Sequence, residues 1–450
     1  MKRKTTRATV TGGEGVAGTD RVEKTPKLRL AILFLTVFVD LVGFGIVLPL
    51  LPFYADRFGA SGLQIGVLVF SYSAAQLLFA PIWGRLSDRY GRRPILIIGL
   101  LGSAVSYVIF AYAGSILALL LSRIMAGVGG ANIPVAQAYI ADITPPEKRA
   151  GGMGLIGAAF GLGFIFGPAI GGLLAPVAPE APGLAAAALC ALNAGLAIFF
   201  LPESLSVAER GRRFVRRAIA AADAPSRMEE IRILFRDPRF VQILLLSFLF
   251  TAAFSSMHPV FPLFVDGRLG LGERGVGWLF TFLGTVSAIM QGGVVRALAP
   301  RIGERGLVRL CAIPFAAGLL LIGLSQNLAI LLLGLTLLAV GFGGTLPSLV
   351  SLLSRAVPDD VQGGSLGIGQ SVTASARIFG PFLGGVMWDL AGPTSPFVAG
   401  SVLAGLAALG VFFLPPIGDE ASSDAPSADV RAATGRGVDP SIAADAGTGD

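Results

Sequence analysis

Three charged side chains stand where charge is expensive. Asp40, Arg123 and Arg377 each lie inside a long apolar run, and an ionisable group in such a run is by default a functional one. Asp40 lies about ten residues into its run, roughly 15 Å deep at ~1.5 Å rise per residue. A carboxylate there can exchange between charged and neutral forms and so carry a proton, or it can meet a cationic substrate. It can also hydrogen-bond to unwound backbone near Gly43 and Gly45. Arg123 does not deprotonate and needs an acceptor: a carboxylate, backbone carbonyls or a substrate. Electrostatic tuning of Asp40 and a fixed structural ion pair are both open to it. Arg377 is close to Gln370 and Ser375, and its own run has no acid before Asp389 at the run's end. It either faces a cavity and binds an anionic group or bonds carbonyls near Gly380 and Pro381. His258, the single histidine, is read as an interior residue, with a proton relay as the alternative. Phe44, Asn132, Gln137, Gln291 and Gln370, with Arg377, are candidates to line a pocket for an amphipathic ligand.

A second kind of chemistry is concentrated in Gly84–Pro94, which holds four arginines and Asp88 between two apolar runs. It reads as a short charged loop. Lysine and arginine favour cytoplasmic loops, so this loop fixes the orientation. The rest of the chain agrees: among the loops, Arg57, Arg268 and Arg274 are the only basic residues that fall on the opposite side.

Apolar runs of membrane-crossing length must position these groups. They fall near 30–55, 63–86, 94–113, 115–141, 151–175 and 183–202, then near 239–265, 275–298, 307–325, 327–355, 363–389 and 394–415. The expectation is an all-α polytopic membrane protein with twelve transmembrane helices and both termini cytoplasmic. Residues 1–28 read as a disordered tail, 29–202 as a six-helix bundle, 203–238 as a cytoplasmic linker, 239–416 as a second six-helix bundle and 417–450 as a second disordered tail. Part of the linker, near 226–237, has the spacing of an amphipathic helix. The chain is 54% hydrophobic and 14% charged, against about 25% charged for a soluble domain. The net charge of +7 lies in the loops and does not point to nucleic acid. Cys190 and Cys311 fall in different halves and support neither a disulfide nor a metal site. There is no nucleotide-binding glycine loop and no nucleophile constellation, so an enzyme is not expected. No cofactor is expected either, and an ion gradient is left as the driving force.

The halves repeat. Gly91-Arg92-Arg93 is echoed by Gly303-Glu304-Arg305, Gly167-Pro168 by Gly380-Pro381, and Pro49 and Pro52 by Pro259 and Pro262. Pro300 stands where a second Asp88 would fall, so the copy is unequal. Two related bundles around a central site are the arrangement that permits alternating access.

With these motifs in hand the chain resembles the major facilitator superfamily, and within it the twelve-span drug/proton antiporters, over roughly 30–415. The run Gly84 to Arg93 matches the family's loop signature. Arg123 through Gly130 matches its fourth-span signature, and Gly163 through Gly172 its antiporter signature in span five. Val39-Asp40 through Pro52 and Ala138 through Thr144 look like tetracycline/proton exporters. The resemblance implies proton coupling through Asp40 and Arg123. It implies a conformational gate built from Gly84, Asp88, Arg89 and Arg92, with Asp142 as the partner of Arg92 and the start of span eleven near Asp88. It implies a tight, bendable interface between the halves at Gly163, Gly167, Pro168 and Gly171. The function implied is proton-driven efflux of lipophilic, tetracycline-like or more varied drugs by a monomer in the inner (plasma) membrane. The alternative is a proton-coupled symporter importing a sugar, organic acid or other metabolite.

Overall fold

The computed structural model describes residues 20–145, 149–204, 232, 234–357 and 362–415. The tail at 417–450, most of the 203–238 linker and most of its amphipathic stretch lie outside the described residues.

The described chain is helical. The first half contains α1 (Asp20–Val47), α2 (Leu51–Asp56), α3 (Gly62–Tyr90), α4 (Arg92–Ala111), α5 (Ile116–Gly129), α6 (Ile133–Ile143), α7 (Arg149–Leu174) and α8 (Ala181–Phe200). The second contains α9 (Pro238–Ser256), α10 (Phe261–Leu269), α11 (Gly272–Ile289), a π-helical segment (Met290–Val295), α12 (Arg296–Leu324), α13 (Leu328–Arg355), α14 (Gln362–Ala391) and α15 (Ser395–Phe412). Among the described residues ten helical stretches are long and apolar enough to cross a membrane. One of them, Gly272–Leu324, has 53 residues, about 80 Å at ~1.5 Å per residue and more than two bilayer cores. It is therefore two crossings, and Gly303 (φ 69°) breaks it. The 30-residue α14 takes the place of the eleventh expected span.

Several boundaries differ from the sequence reading, each for a local reason. α1 begins at Asp20, inside the stretch expected to be a tail, because extending an existing helix gains one hydrogen bond per residue fixed. The charged stretch expected as a loop is almost wholly helical. α3 runs to Tyr90 and α4 starts at Arg92, so Gly91 alone makes the reversal, at φ 108°. That conformation is open to glycine and strained for other residues. Gly303 makes the same kind of turn in the second half. The first expected span is broken after Val47 and resumes at Leu51, with Pro52 in the first turn of α2. The seventh is broken in the same way before α10, with Pro262 in its first turn. A proline at that position has no N–H to leave unpaired. The fourth is broken between α5 and α6, where Pro134 starts the second piece.

Packing follows the repeat. In the first half α1 rests on α7 and α8, and α4 on α5 and α8. In the second half α9 rests on α14 and α15, and α12 on α13 and α15. The halves meet through two equivalent pairs, α3 with α14 and α7 with α11. Small residues make these approaches possible, since in lipid van der Waals packing largely replaces the hydrophobic drive between helices.

One expectation is corrected here. Gly163, Gly167 and Gly171 do not form the interface between halves. They press α7 against α1 of the same half, where a Cβ on Gly167 would lie 2.6 Å from the Cα of Gly45. Their spacing of four residues makes a single face, and α1 offers the matching Gly45. The adjoining face of α7 meets the other half, with Gly172 against Gly277 and Phe164 against Gly284.

Candidate functional site: a central cleft between two charged ends

Among the described residues the cross-half contacts run from one end of the molecule to about its middle. This far end carries Arg57, Glu273 and Asp389; the opposite, basic end carries Gly91 and Gly303. At the far end Arg57 pairs with Glu273 at 2.5 Å. The Asp389 carboxylate of α14 accepts the backbone N–H groups of Gly62 (2.7 Å) and Leu63 (2.8 Å) at the start of α3. Ser61 and Gln64 satisfy the neighbouring donors through a capping box. An α-helix leaves its first N–H groups without internal partners, so the first turn of α3 is completed by the other half. Midway along, the Thr281 hydroxyl donates to the Ile165 carbonyl at 3.2 Å.

Toward the basic end the same helix faces part. On α7, Gly157 and Gly161 continue the stripe of Phe164, Pro168 and Gly172, yet a Cβ on either would meet nothing. Gly84 continues the stripe of Gly62 and Gly66 on α3, and Gly367 that of Pro381 and Gly385 on α14; both face open space. Among the described residues the halves therefore enclose a cleft that is sealed at the far end and open at the basic end.

Asp40 lies half-buried near the inner limit of this cleft, beside Ser103 of α4 and within electrostatic reach of Tyr72 and Tyr107. Arg123 is buried on α5, 5.8 Å from the centre of the Tyr107 ring and 5.2 Å from that of Phe110. Its Nε donates to the Ser122 hydroxyl at 3.4 Å, while one Nη has no partner. Asp40 and Arg123 thus share a neighbourhood, but among the described residues they form no ion pair. Just beyond Arg123 the α5–α6 break frees backbone carbonyls, and α3 supplies the donors. Trp83 Nε1 reaches the Val128 carbonyl (2.7 Å) and Gln76 Nε2 the Gly130 carbonyl (3.0 Å). Irregular backbone at membrane depth is tolerated where protein satisfies it or where it lines a cavity.

The pocket candidates separate. Phe44 is half-buried and packs on Tyr72 (4.7 Å) and Phe164 (6.0 Å). Gln137, Gln291, Gln370 and Arg377 are exposed, and Gln370 shares the Arg377 face of α14, seven residues away. Asn132 is corrected: it is buried against Gly99, and its Nδ2 donates to the Leu96 carbonyl at 3.4 Å. It therefore ties α6 to α4, because the turn before α6 aims it inward. His258 lies edge-on to Phe254 (5.0 Å) in an aromatic cluster with Phe280.

At the basic end the structure brings Arg92 to Asp88 (2.5 Å), Asp142 (3.3 Å) and the Ser87 hydroxyl (2.5 Å). All four residues belong to the first half, so these contacts brace α3, α4 and α6 together. Gly84 has open space beside it, and Arg89 is exposed over the Tyr90 ring at 5.4 Å. Sequence reasoning missed Glu203, whose carboxylate accepts the N–H groups of Arg92 (2.9 Å) and Arg93 (3.2 Å). It also missed Arg57, Glu273 and Asp389. The available signal for Arg57 was its place among the few basic residues of the far end; Asp389 gave none.

The Major Facilitator Superfamily profile matches residues 33–306 and 259–440. Multidrug resistance protein 2 of Bacillus subtilis (strain 168) is 31% identical over 367 residues, 81% of this chain and 90% of that protein. The class C tetracycline resistance protein of Escherichia coli is 34% identical over 364 residues, 79% of this chain and 88% of that protein. The crystal structure of the human organic anion transporter MFSD10 (TETRAN) superposes with a TM-score of 0.62 at 27% identity, covering 86% of this chain and 99% of that one. Two packed repeats around a one-sided cleft, matched along both repeats, leave one assignment: the chain is a membrane transporter of the Major Facilitator Superfamily.

Proposed function

We propose that this transporter is a proton-driven exporter of lipophilic, drug-sized molecules. It works by alternating access in the inner (plasma) membrane, with the basic end and both termini cytoplasmic. On that orientation the cleft is open to the cytoplasm, the state in which an exporter loads. The names of the bacterial relatives, multidrug and tetracycline resistance proteins, support the substrate range.

The observation that carries the reading is Asp40. It is a carboxylate in the middle of a membrane-crossing helix, half-buried beside Ser103 near the inner limit of the cleft and without an ion-pair partner among the described residues. A carboxylate that alternates between two sides of a barrier can load a proton on one and release it on the other. If proton and drug compete for the same state of the cleft, the proton gradient drives the drug outward.

The test is a proteoliposome assay with an imposed pH gradient and an internal pH dye. Tetracycline, ethidium and a sugar are added in turn to the wild type and to Asp40→Asn. Drug-triggered proton movement in the wild type, absent in the variant, is the expected result. Movement that survives in Asp40→Asn reassigns Asp40 to structure, and a response to the sugar alone replaces export with symport.

A further inference from the structure

We infer that Arg377 is the anion-recognition subsite of the cleft, and that the cargo is a drug-sized amphiphile bearing a carboxylate, sulfonate or enolate. The inference rests on the export reading for the word cargo; the subsite itself stands on geometry.

The first observation is position. On α14, Pro381 and Gly385 meet α3, while Gly380 and Gly384 meet α9 at Ala252, Ser255 and Ser256. Arg377 is three to four residues before Gly380 and Pro381, so it projects from the strip between those two contact faces. That strip looks into the cleft, just on the open side of the sealed end. The opposite flank of α14 bears Ser375, Ile378, Phe379 and Phe382, which line a shallow apolar groove with Phe70. The helix is therefore cationic toward the cleft and largely apolar away from it.

The second observation is the lack of a partner. Arg377 is exposed, and among the described residues no hydrogen bond or ion pair engages its guanidinium. Five N–H donors in a fixed planar fork are left to something outside the chain, and that fork matches a carboxylate or sulfonate in a bidentate pair. The nearby protein group in electrostatic reach is Tyr72, across the cleft on α3, which packs at a tilt against Phe44. An aromatic body beside a cation is the lining an amphipathic anion requires.

The third observation is charge balance. Among the described residues the charged side chains in the middle of the spans are Asp40, Arg123 and Arg377. Arg123 and Arg377 remain cations, so the middle of the membrane part as a whole is net positive whatever the protonation of Asp40, and Arg377 is its cation on the cleft. Across low-dielectric walls such an excess favours an anion over a cation of equal shape.

Fluorescein and rhodamine 123 share a xanthene frame and differ in charge, which makes them the probe pair. Their binding is followed by fluorescence anisotropy on the full chain in phosphatidylcholine nanodiscs at pH 8, with no gradient. Fluorescein is expected to bind more tightly than rhodamine 123. Arg377→Gln is expected to weaken fluorescein at least tenfold, the loss of one charge-assisted pair, while leaving rhodamine 123 unchanged. Arg377→Lys, which keeps the charge and loses the planar fork, is expected to weaken fluorescein by less than Arg377→Gln does, because a point charge replaces only part of a bidentate pair. A fluorescein Kd within twofold of wild type in Arg377→Gln overturns the subsite. So does tighter wild-type binding of rhodamine 123, or no wild-type binding of fluorescein. Phosphatidylglycerol nanodiscs separate a dissolved anion from a lipid headgroup: an unchanged Kd keeps the site for cargo, and loss of fluorescein binding gives it to the lipid and overturns the cargo assignment. These are equilibrium measurements, so a failure of the proton-flux assay alone would remove export and leave the anion site in place.

Discussion

The two halves build the same joint with opposite charges. In the first, Arg92 follows the turn glycine Gly91 and pairs with Asp142 at the end of α6. In the second, Glu304 follows the turn glycine Gly303 and pairs at 2.8 Å with Arg355 at the end of α13, where the Ser351 hydroxyl also donates to it. The repeat has thus preserved a tether from the turn to the end of its fourth membrane crossing while exchanging acid and base. It has not preserved the surroundings. The side chains of Arg92 and Asp142 are each 5% exposed, whereas Arg355 is 62% exposed and Glu304 17%. Asp88, Ser87 and Glu203 crowd the first joint; Pro300 occupies the place of Asp88 in the second. The geometry is common, but burial decides how much each joint contributes.

The sharpest way to break that comparison is Arg92→Ala. It removes the cation beside the Asp142 carboxylate, which keeps the Ser204 hydroxyl at 3.1 Å, and should destabilise the first half by about 3–5 kcal/mol, the range for removing one partner of a buried pair. Denaturation in a titration of sodium dodecyl sulfate would measure it. Equal losses for Arg92→Ala and Arg355→Ala would show that burial does not separate the joints. Next come the glycine contacts that the halves share. Gly167→Ala would drive a methyl group into Gly45, and Gly384→Ala would drive one into the Ser256 carbonyl. Each should lose about 1–3 kcal/mol by overpacking in the same titration, while Gly161→Ala, facing open space, should stay within about 0.5 kcal/mol. The smallest effect belongs to Arg355→Ala. An exposed pair is worth about 0–1 kcal/mol and is screened by salt, so the loss should vanish at ~1 M sodium chloride whereas that of Arg92→Ala should persist.

Much of the fold was legible because membrane crossing imposes length and polarity on every segment. The repeat was legible because prolines and glycines mark backbone that only they tolerate: Gly91 and Gly303 turn the chain, and Pro52 and Pro262 restart it. What failed was the assignment of faces. Gly163, Gly167 and Gly171 do form one smooth stripe, but a stripe does not name its partner, and it proved to be α1 and not the other half. Asn132 looked like a pocket residue because polarity at membrane depth suggests function, yet it joins two helices. The helical course of Gly84–Arg93 was hidden by its charge, which marks the end of a membrane crossing and not the end of a helix. Asp389 was invisible for a different reason. Its role depends on two amide groups more than three hundred residues earlier, and amides leave no trace in a sequence.

That carboxylate has a consequence for how the molecule moves. The opening turn of α3 lacks acceptors of its own for the Gly62 and Leu63 amides, and the other half supplies both. On the alternating-access reading proposed above, parting of the far end would turn those amides to water and take away the anchor of the turn. Separation of the halves and fraying of one helix end would then be a single event. The far end would open as a small folding transition, cooperative and steep, rather than as a hinge that swings through a continuum of angles.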